Sequence, residues 1–298
     1  MRRQIVPKIG QLTNDPQAIS LIVWLIITQK KRYEHTDLDQ CLQSTQIIEI
    51  IKSSHDNDSV YIAACYSLAK CILLQAETEV TAEKRSAIPL AQVTFTLLEA
   101  LEHFPSIFFS KLVQRCGGWP IPLFIGNHDH DKRPWSDQAE YSKIIGYRKS
   151  ARGEGLETTE EYSNRVSGIM RVYFHILKIR PVQKPLYSMF QLPRYWTWFA
   201  RILNDRRLLA QPIAPQLIYS KFFFFGLWLT ADSPLLKIAA LDVLGFEAKS
   251  VWGQQWDKML HLIEAGVTTG YEDNKLMGGD CAEGSAARTR IMLVLETL

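Results

Sequence analysis

Asn127, His128, Asp129, His130 and Asp131 stand side by side, and imidazole and carboxylate are the ligands that zinc or another transition metal would take. The spacing argues against a metal centre. Neighbours in one loop rarely all turn inward, and no second segment offers a matching His or Cys pair. The cluster reads as a solvated polar loop, with a metal-dependent hydrolase using His128 to Asp131 kept as a rival reading. Nucleophilic catalysis requires a Ser or Cys beside a base on a strained turn, and no GxSxG or comparable elbow occurs. Cys65, Cys71 and Cys116 fall in helical, mostly apolar contexts and read as packing residues. Gly278 and Gly279, before Asp280, match neither GxGxxG nor the P-loop pattern, so a polar loop is expected there rather than a phosphate cradle.

Glu77 and Glu79 flank Thr78, which on a helix turns them about 200° apart. Capping and local salt bridges are their expected roles, not paired acid–base chemistry. Trp196 and Trp198 are interleaved with Phe199, Ile202 and Leu203 and are expected in the core. The cluster that remains is basic. Lys111 and Arg115 lie one helical turn apart, on the polar side of a helix that opens at Pro105, and Lys70 lies on the polar side of an earlier helix. If those helices are neighbours, three cations face one patch suited to a polyphosphate. Leu74, exposed by the same periodicity one turn from Lys70, marks that patch as a contact surface.

The elements that must hold these residues are helical. Asn14 or Asp15 can cap a helix with Pro16 in its first turn and Ser20 to Lys31 as its body. Tyr61, Cys65, Leu68, Ile72 and Ala76 recur at spacings of four and three, one buried helix face, with Lys70 and Leu74 opposite. Val93, Leu97, Leu101 and Phe104 repeat the pattern, and Gly117 and Gly118 close the helix that Pro105 opens. From Trp119 to Glu157 the periodicity disappears, which predicts an irregular insertion. Thr158 with Glu161 reads as a capping box ahead of a stripe formed by Tyr162, Val166, Ile169, Tyr173 and Leu177. Trp196 to Asn204, Pro234 to Leu244 and Trp252 to Leu262 are further helices, while Phe222 to Leu229 suits either helix or strand. The expectation is an all-α, HEAT-like array of antiparallel helices, residues 1–298 forming one scaffold domain with the irregular insertion at 119–157. No exact period repeats.

Composition agrees with a folded chain. Hydrophobic residues make up 47 % and charged residues 22 % of 298, a globular balance rather than a tail. The net charge of +3 excludes a basic field over the whole molecule, so any anion site must be local. Five scattered cysteines (Cys41, Cys65, Cys71, Cys116, Cys281) without CxxC spacing suit a reducing compartment. The apolar runs Leu21 to Ile27 and Phe222 to Leu229 fall short of the roughly 20 residues of a membrane span.

Four collinear segments carry a resemblance. QAETEVTAEKRSAIPL (75–90), PKIGQLTN (7–14), YSNRVSGI (162–169) and WTWFARILN (196–204) resemble the C-terminal domain of the GLFG-lethal nuclear-pore mRNA export factor family, with fainter echoes in FSKLVQRC, FFFFGLWL and AARTRI. The resemblance implies an all-α HEAT-like fold with no active site of its own. It also implies activation of a DEAD-box RNA helicase at the cytoplasmic face of the nuclear pore. In fungal members inositol hexakisphosphate bridges scaffold and helicase, and Lys70, Lys111 and Arg115 fall where those members carry phosphate-binding cations. Leu74 and Gln114 stand where two further cations would be, so weak or dispensable inositol phosphate binding is expected. An FG nucleoporin is the second implied partner, with Phe222 to Leu229 and the exposed-looking Trp252 and Trp256 as candidates for its region and core packing as the expected role of most of them. Neither membrane insertion nor sequence-specific nucleic-acid binding is expected. The alternative is a generic HEAT-like adaptor in RNA metabolism without a helicase partner.

Overall fold

The computed structural model describes residues 58–129, 131–150, 155–181, 185–218 and 245–254, with positions 45, 47–49, 51–52, 256–257 and 260–261. The helices proposed at 20–31 and 234–244, the run 222–229, Cys41, Cys281, His130 and the Gly278–Asp280 loop lie outside the described residues. Among those described the structure is helical, and the β features are two isolated bridges, His128 with Pro134 and Lys149 with Leu156. Packing divides the chain into two units: Met1–Arg115 with Val172–Arg194, and Cys116–Arg171 with Tyr195–Leu298.

The first unit is built on three consecutive helices. Helix α1 (Asp58–Ala82) buries the expected face of Tyr61, Cys65, Leu68, Ile72 and Ala76, widened by Ala69, Leu73 and Val80. Its 25 residues are apolar and long enough to cross a membrane by composition, yet that face is buried inside the unit. Helix α2 (Ala87–Ala100) is buried on most sides, so its one deeply placed polar side chain must be satisfied internally. Thr94 does this by donating its hydroxyl to the Leu90 carbonyl at 2.7 Å. Helix α3 (Phe104–Cys116) starts with Pro105, whose missing N–H costs nothing in a first turn. Its Phe108 and Phe109 join Tyr173 and Phe190 in an aromatic cluster with centroids 5.9–6.2 Å apart.

In the second unit Gly117 has φ +61° and lies so close to Ile145 that a Cβ would strike its backbone carbonyl. Gly117→Ala is expected to cost about 2 kcal/mol through both the strained φ and the clash. A lower urea midpoint at unchanged m-value is the readout, and an unchanged midpoint would remove the argument. The stretch 119–157 is mostly non-helical but carries one short helix, α4 (Gln138–Ile144), that periodicity did not announce. Asp137 caps it by accepting from the Glu140 N–H, and Glu140 reaches back to the Ser136 N–H and hydroxyl. The segment is tied down at its far end by Arg165, whose Nε and Nη2 bond Glu157 at 2.7 and 2.8 Å while Nη2 also reaches the Gly146 carbonyl.

Helix α5 (Thr159–Lys178) begins with the expected capping box: the Thr158 N–H donates to Glu161, and the Glu161 N–H to the Thr158 hydroxyl. Its apolar stripe from Tyr162 to Leu177 is buried as the spacing predicts. Helix α6 (Leu192–Asn204) turns Tyr195, Trp198, Phe199, Ile202 and Leu203 inward. The expected burial of both indoles is corrected, because 196 falls off that i, i+3, i+4 face: Trp196 is 42 % exposed and Trp198 only 1 %. Helix α7 (Arg206–Leu209) is capped by Asp205. Helix α8 (Phe246–Trp252) ends where the sequence suggests a start, because Gly253 adopts φ +53° and its N–H closes on the Lys249 carbonyl.

Candidate functional site

The seam between α1 and α3 gathers the basic residues. Lys111 Nζ lies 3.9 Å over the Tyr66 ring and also donates to Gln114 Oε1 at 2.7 Å. Arg115 Nη1 bonds both Glu77 oxygens at 2.7 Å, with side-chain exposures of 12 % and 5 %. Tyr66 and Glu77 are three turns apart on α1, so they fall on nearly one line of that helix. Both contacts advance in the same direction along the two helices.

Lys70 stands on α1 between those two contacts, exposed and with no ion-pair partner among the described residues. One turn before it Tyr66 is 47 % exposed, and one turn after it Leu74 is 46 % exposed. The surface is thus mixed: Lys70 and Lys111 supply cationic heads, Tyr66 and Leu74 supply apolar area. Arg115 differs from the two lysines. Its charge is compensated by a buried carboxylate, so it clamps α3 to α1 and adds less to any attraction for an anion.

Two of these residues escaped the sequence. Glu77 was expected to make local contacts, yet its partner is 38 residues away, and nothing in the spacing points there. Tyr66 had a signal, since it shares the exposed period of Lys70 and Leu74. Trp252 and Trp256, exposed-looking in the sequence, take the core-packing role: they are 5 % and 2 % exposed, and Trp252 Nε1 donates to the Leu209 carbonyl at 3.0 Å. They pack at 6.1 Å as part of the second unit's interior.

The other chemical candidates are placed as follows. Asp129 Oδ1 accepts from the N–H groups of Asp131 and Arg133, and Oδ2 from the Arg133 side chain. The Arg133 bond holds its carboxyl below the ordinary value. Among the described residues no three His, Cys, Asp or Glu side chains converge on a metal-sized site. Burial pushes the Cys65 and Cys71 thiols up, with Lys70 pulling Cys71 the other way, so both are poor thiolates.

The model of the family described as GLE1-like protein matches residues 1–226, about three quarters of the chain and all of the α1–α3 seam. The chain belongs to the GLE1-like protein family. The mRNA export factor GLE1 of Saccharomyces cerevisiae is 25 % identical over 295 residues, which cover 98 % of this chain and 44 % of that protein. The Schizosaccharomyces pombe mRNA export factor gle1 is 25 % identical over 261 residues, covering 87 % of this chain and 44 % of the relative. The chain therefore spans less than half the length of these GLE1 relatives. Among solved structures, a chain of the complex of S. cerevisiae Dbp5 C-terminal domain variant bound to Gle1 and IP6 matches with TM-score 0.58 at 17 % identity. The match covers 99 % of this chain and 92 % of that one, and it shows a shared fold. Within this GLE1-like fold, the QAETEV block (75–80) is the last part of α1, where Gln75, Ala76, Glu77 and Val80 are buried. Its carboxylate at 77 anchors α3.

Proposed function

We propose that this chain is a scaffold without catalytic residues of its own that binds a DEAD-box RNA helicase and stimulates its ATP turnover during mRNA export, at the cytoplasmic face of the nuclear pore. The observation that carries the reading is family membership over a stretch containing the α1–α3 seam, where exposed Tyr66, Lys70 and Leu74 form a contact surface. The solved complex with the same fold supports it, since it pairs Gle1 with the C-terminal domain of Dbp5 and with IP6. A scaffold that holds helicase lobes apart favours release of RNA and nucleotide, and so speeds turnover where release is limiting.

Inositol hexakisphosphate would meet Lys70 and Lys111 at this seam, with Arg115 set beside them by Glu77. Leu74 and Gln114 bring no charge, and Glu77 offsets that of Arg115, so the polyanion binds weakly and helicase stimulation does not depend on it. An FG nucleoporin would dock on the second unit, with Trp252 and Trp256 supporting the surface from inside.

The test is ATP hydrolysis by a DEAD-box helicase with RNA, titrated with the purified chain. Stimulation is expected, and Lys70→Glu should raise the half-maximal concentration about tenfold while leaving helix content unchanged. No stimulation at any concentration would favour the adaptor reading. Tight inositol hexakisphosphate binding by calorimetry, lost in Lys70→Ala, would overturn the weak-ligand part.

A further inference from the structure

The end of α6 and the short α7 bring three exposed arginines to one stretch of the second unit. Arg201 Nη1 donates to the Ile121 carbonyl at 3.2 Å, and Arg207 Cζ lies 5.0 Å from the centroid of the Phe124 ring. Arg206 stands next to Arg207 in α7. Between the two contacted residues, Leu123 is 58 % exposed.

The stretch beneath the arginines is fixed from inside. Trp198 Nε1 donates to the Trp119 carbonyl, and Trp119 Nε1 donates to the Tyr162 hydroxyl at 2.9 Å. Tyr162 stacks on Tyr147 with centroids 4.0 Å apart and planes 2° from parallel. The Leu123 N–H closes back on the Gly118 carbonyl at 3.1 Å. The surface is therefore formed before a partner arrives, and little ordering is left to oppose binding.

Arg207 is not an ordinary surface cation. Its Nε and Nη2 donate to the two carboxylate oxygens of Asp205 at 3.0 and 2.9 Å. A two-point pair fixes the plane of a guanidinium as well as its position. The side chain stays 68 % exposed, so the Phe124 ring lies on one side of it and solvent on the other. What Arg207 offers outward is a flat plate whose charge is already met. Arg201 and Arg206 differ, since neither has an ion-pair partner among the described residues.

A flat plate with an open charge on each of two neighbouring arginines matches a nucleobase and the two phosphates that flank it. Guanidinium planes are stacking platforms for unpaired bases, and the phosphates supply a sequence-independent attraction. A carboxylate-rich peptide fits less well, because at Arg207 it would meet Asp205 rather than an open cation. We infer that this surface binds single-stranded RNA without reading its sequence, one base lying on the Arg207 guanidinium and the adjoining phosphates meeting Arg201 and Arg206. The site belongs to the other unit from the α1–α3 seam and needs no helicase, so either reading can fail without the other.

The probe is a fluorescein-labelled oligouridylate of about ten nucleotides, titrated at low salt with the 298-residue chain and followed by anisotropy. Saturable binding is expected, about tenfold weaker for an abasic strand of the same length. Arg207→Lys keeps the charge but has no plane, and should bring the two strands to equal affinity. Arg206→Glu should leave the urea midpoint of the chain unchanged, weaken the RNA about tenfold and flatten the dependence of its affinity on salt. Absence of saturable binding by the parent overturns the site. So does an R206E variant that binds RNA like the parent, or an R207K variant that still prefers the strand carrying bases. A glutamate-rich peptide that binds more tightly than the RNA, and is lost in R206E, would overturn the proposal in favour of an acidic protein partner.

Discussion

Replacing Glu77 by alanine is expected to destabilise the first unit by about 3 kcal/mol, because it leaves the Arg115 guanidinium largely buried without its counter-charge. The pair itself is not worth that much. Two charges withdrawn from water repay little beyond their desolvation, so the loss measures the stranded ion rather than the bond. The double variant Glu77→Leu with Arg115→Met should therefore recover most of the loss, since it removes both charges and keeps the volume. Urea denaturation followed by helical circular dichroism reads both variants. A single-variant cost below about 0.5 kcal/mol would mean that water reaches the pair and that it is an ordinary surface bridge.

Trp198→Ala should cost the second unit about 4 kcal/mol. The indole is 1 % exposed, and its Nε1 donates to the Trp119 carbonyl at 2.6 Å. Trp119 passes the connection on to Tyr162 and Tyr162 to Ile145, so one side chain supports a relay of three donors. Truncation removes a large packed surface and also leaves the Trp119 carbonyl short of a donor. The contrast is Trp196→Ala, two residues away and 42 % exposed, which should cost much less. Equal losses at 196 and 198 in the same denaturation experiment would contradict the assignment of the inner face of α6.

What the sequence made legible is what a helix repeats. The inner faces of α1 and α5 follow from the 3.6-residue period, and the Thr158–Glu161 box follows from the chemistry of unpaired amides at a helix start. Lys70 and Leu74 came out on the exposed side for the same reason. The resemblance then pointed to the region of α1 and α3. Period says nothing about which helix lies alongside, so the Glu77 partner was invisible: Arg115 could be matched to it only once its helix was placed beside α1. The helix boundary at Trp252 was misplaced by a different cause. Reading it as a helix start ignored Gly253, whose left-handed backbone ends the helix there and keeps the indole inside. In 119–157 the prolines and glycines obscured α4, and the order of that stretch comes from Arg165 and the Tyr147–Tyr162 stack, contacts that no local pattern encodes.

The first unit is also discontinuous along the chain, and that shapes how the protein can be made. Its aromatic cluster needs Tyr173 and Phe190 as well as Phe108 and Phe109, and the residues between 115 and 172 belong to the other unit. On a ribosome the N-terminal residues emerge first, yet this unit cannot close its core when residue 115 appears. Helices α1 to α3 must wait, with Phe108 and Phe109 uncovered, until the chain has run through 116–171 and returned. Residues 172–194 act as a late-arriving keystone, and the interval before they emerge is when a holding chaperone would matter most to this protein.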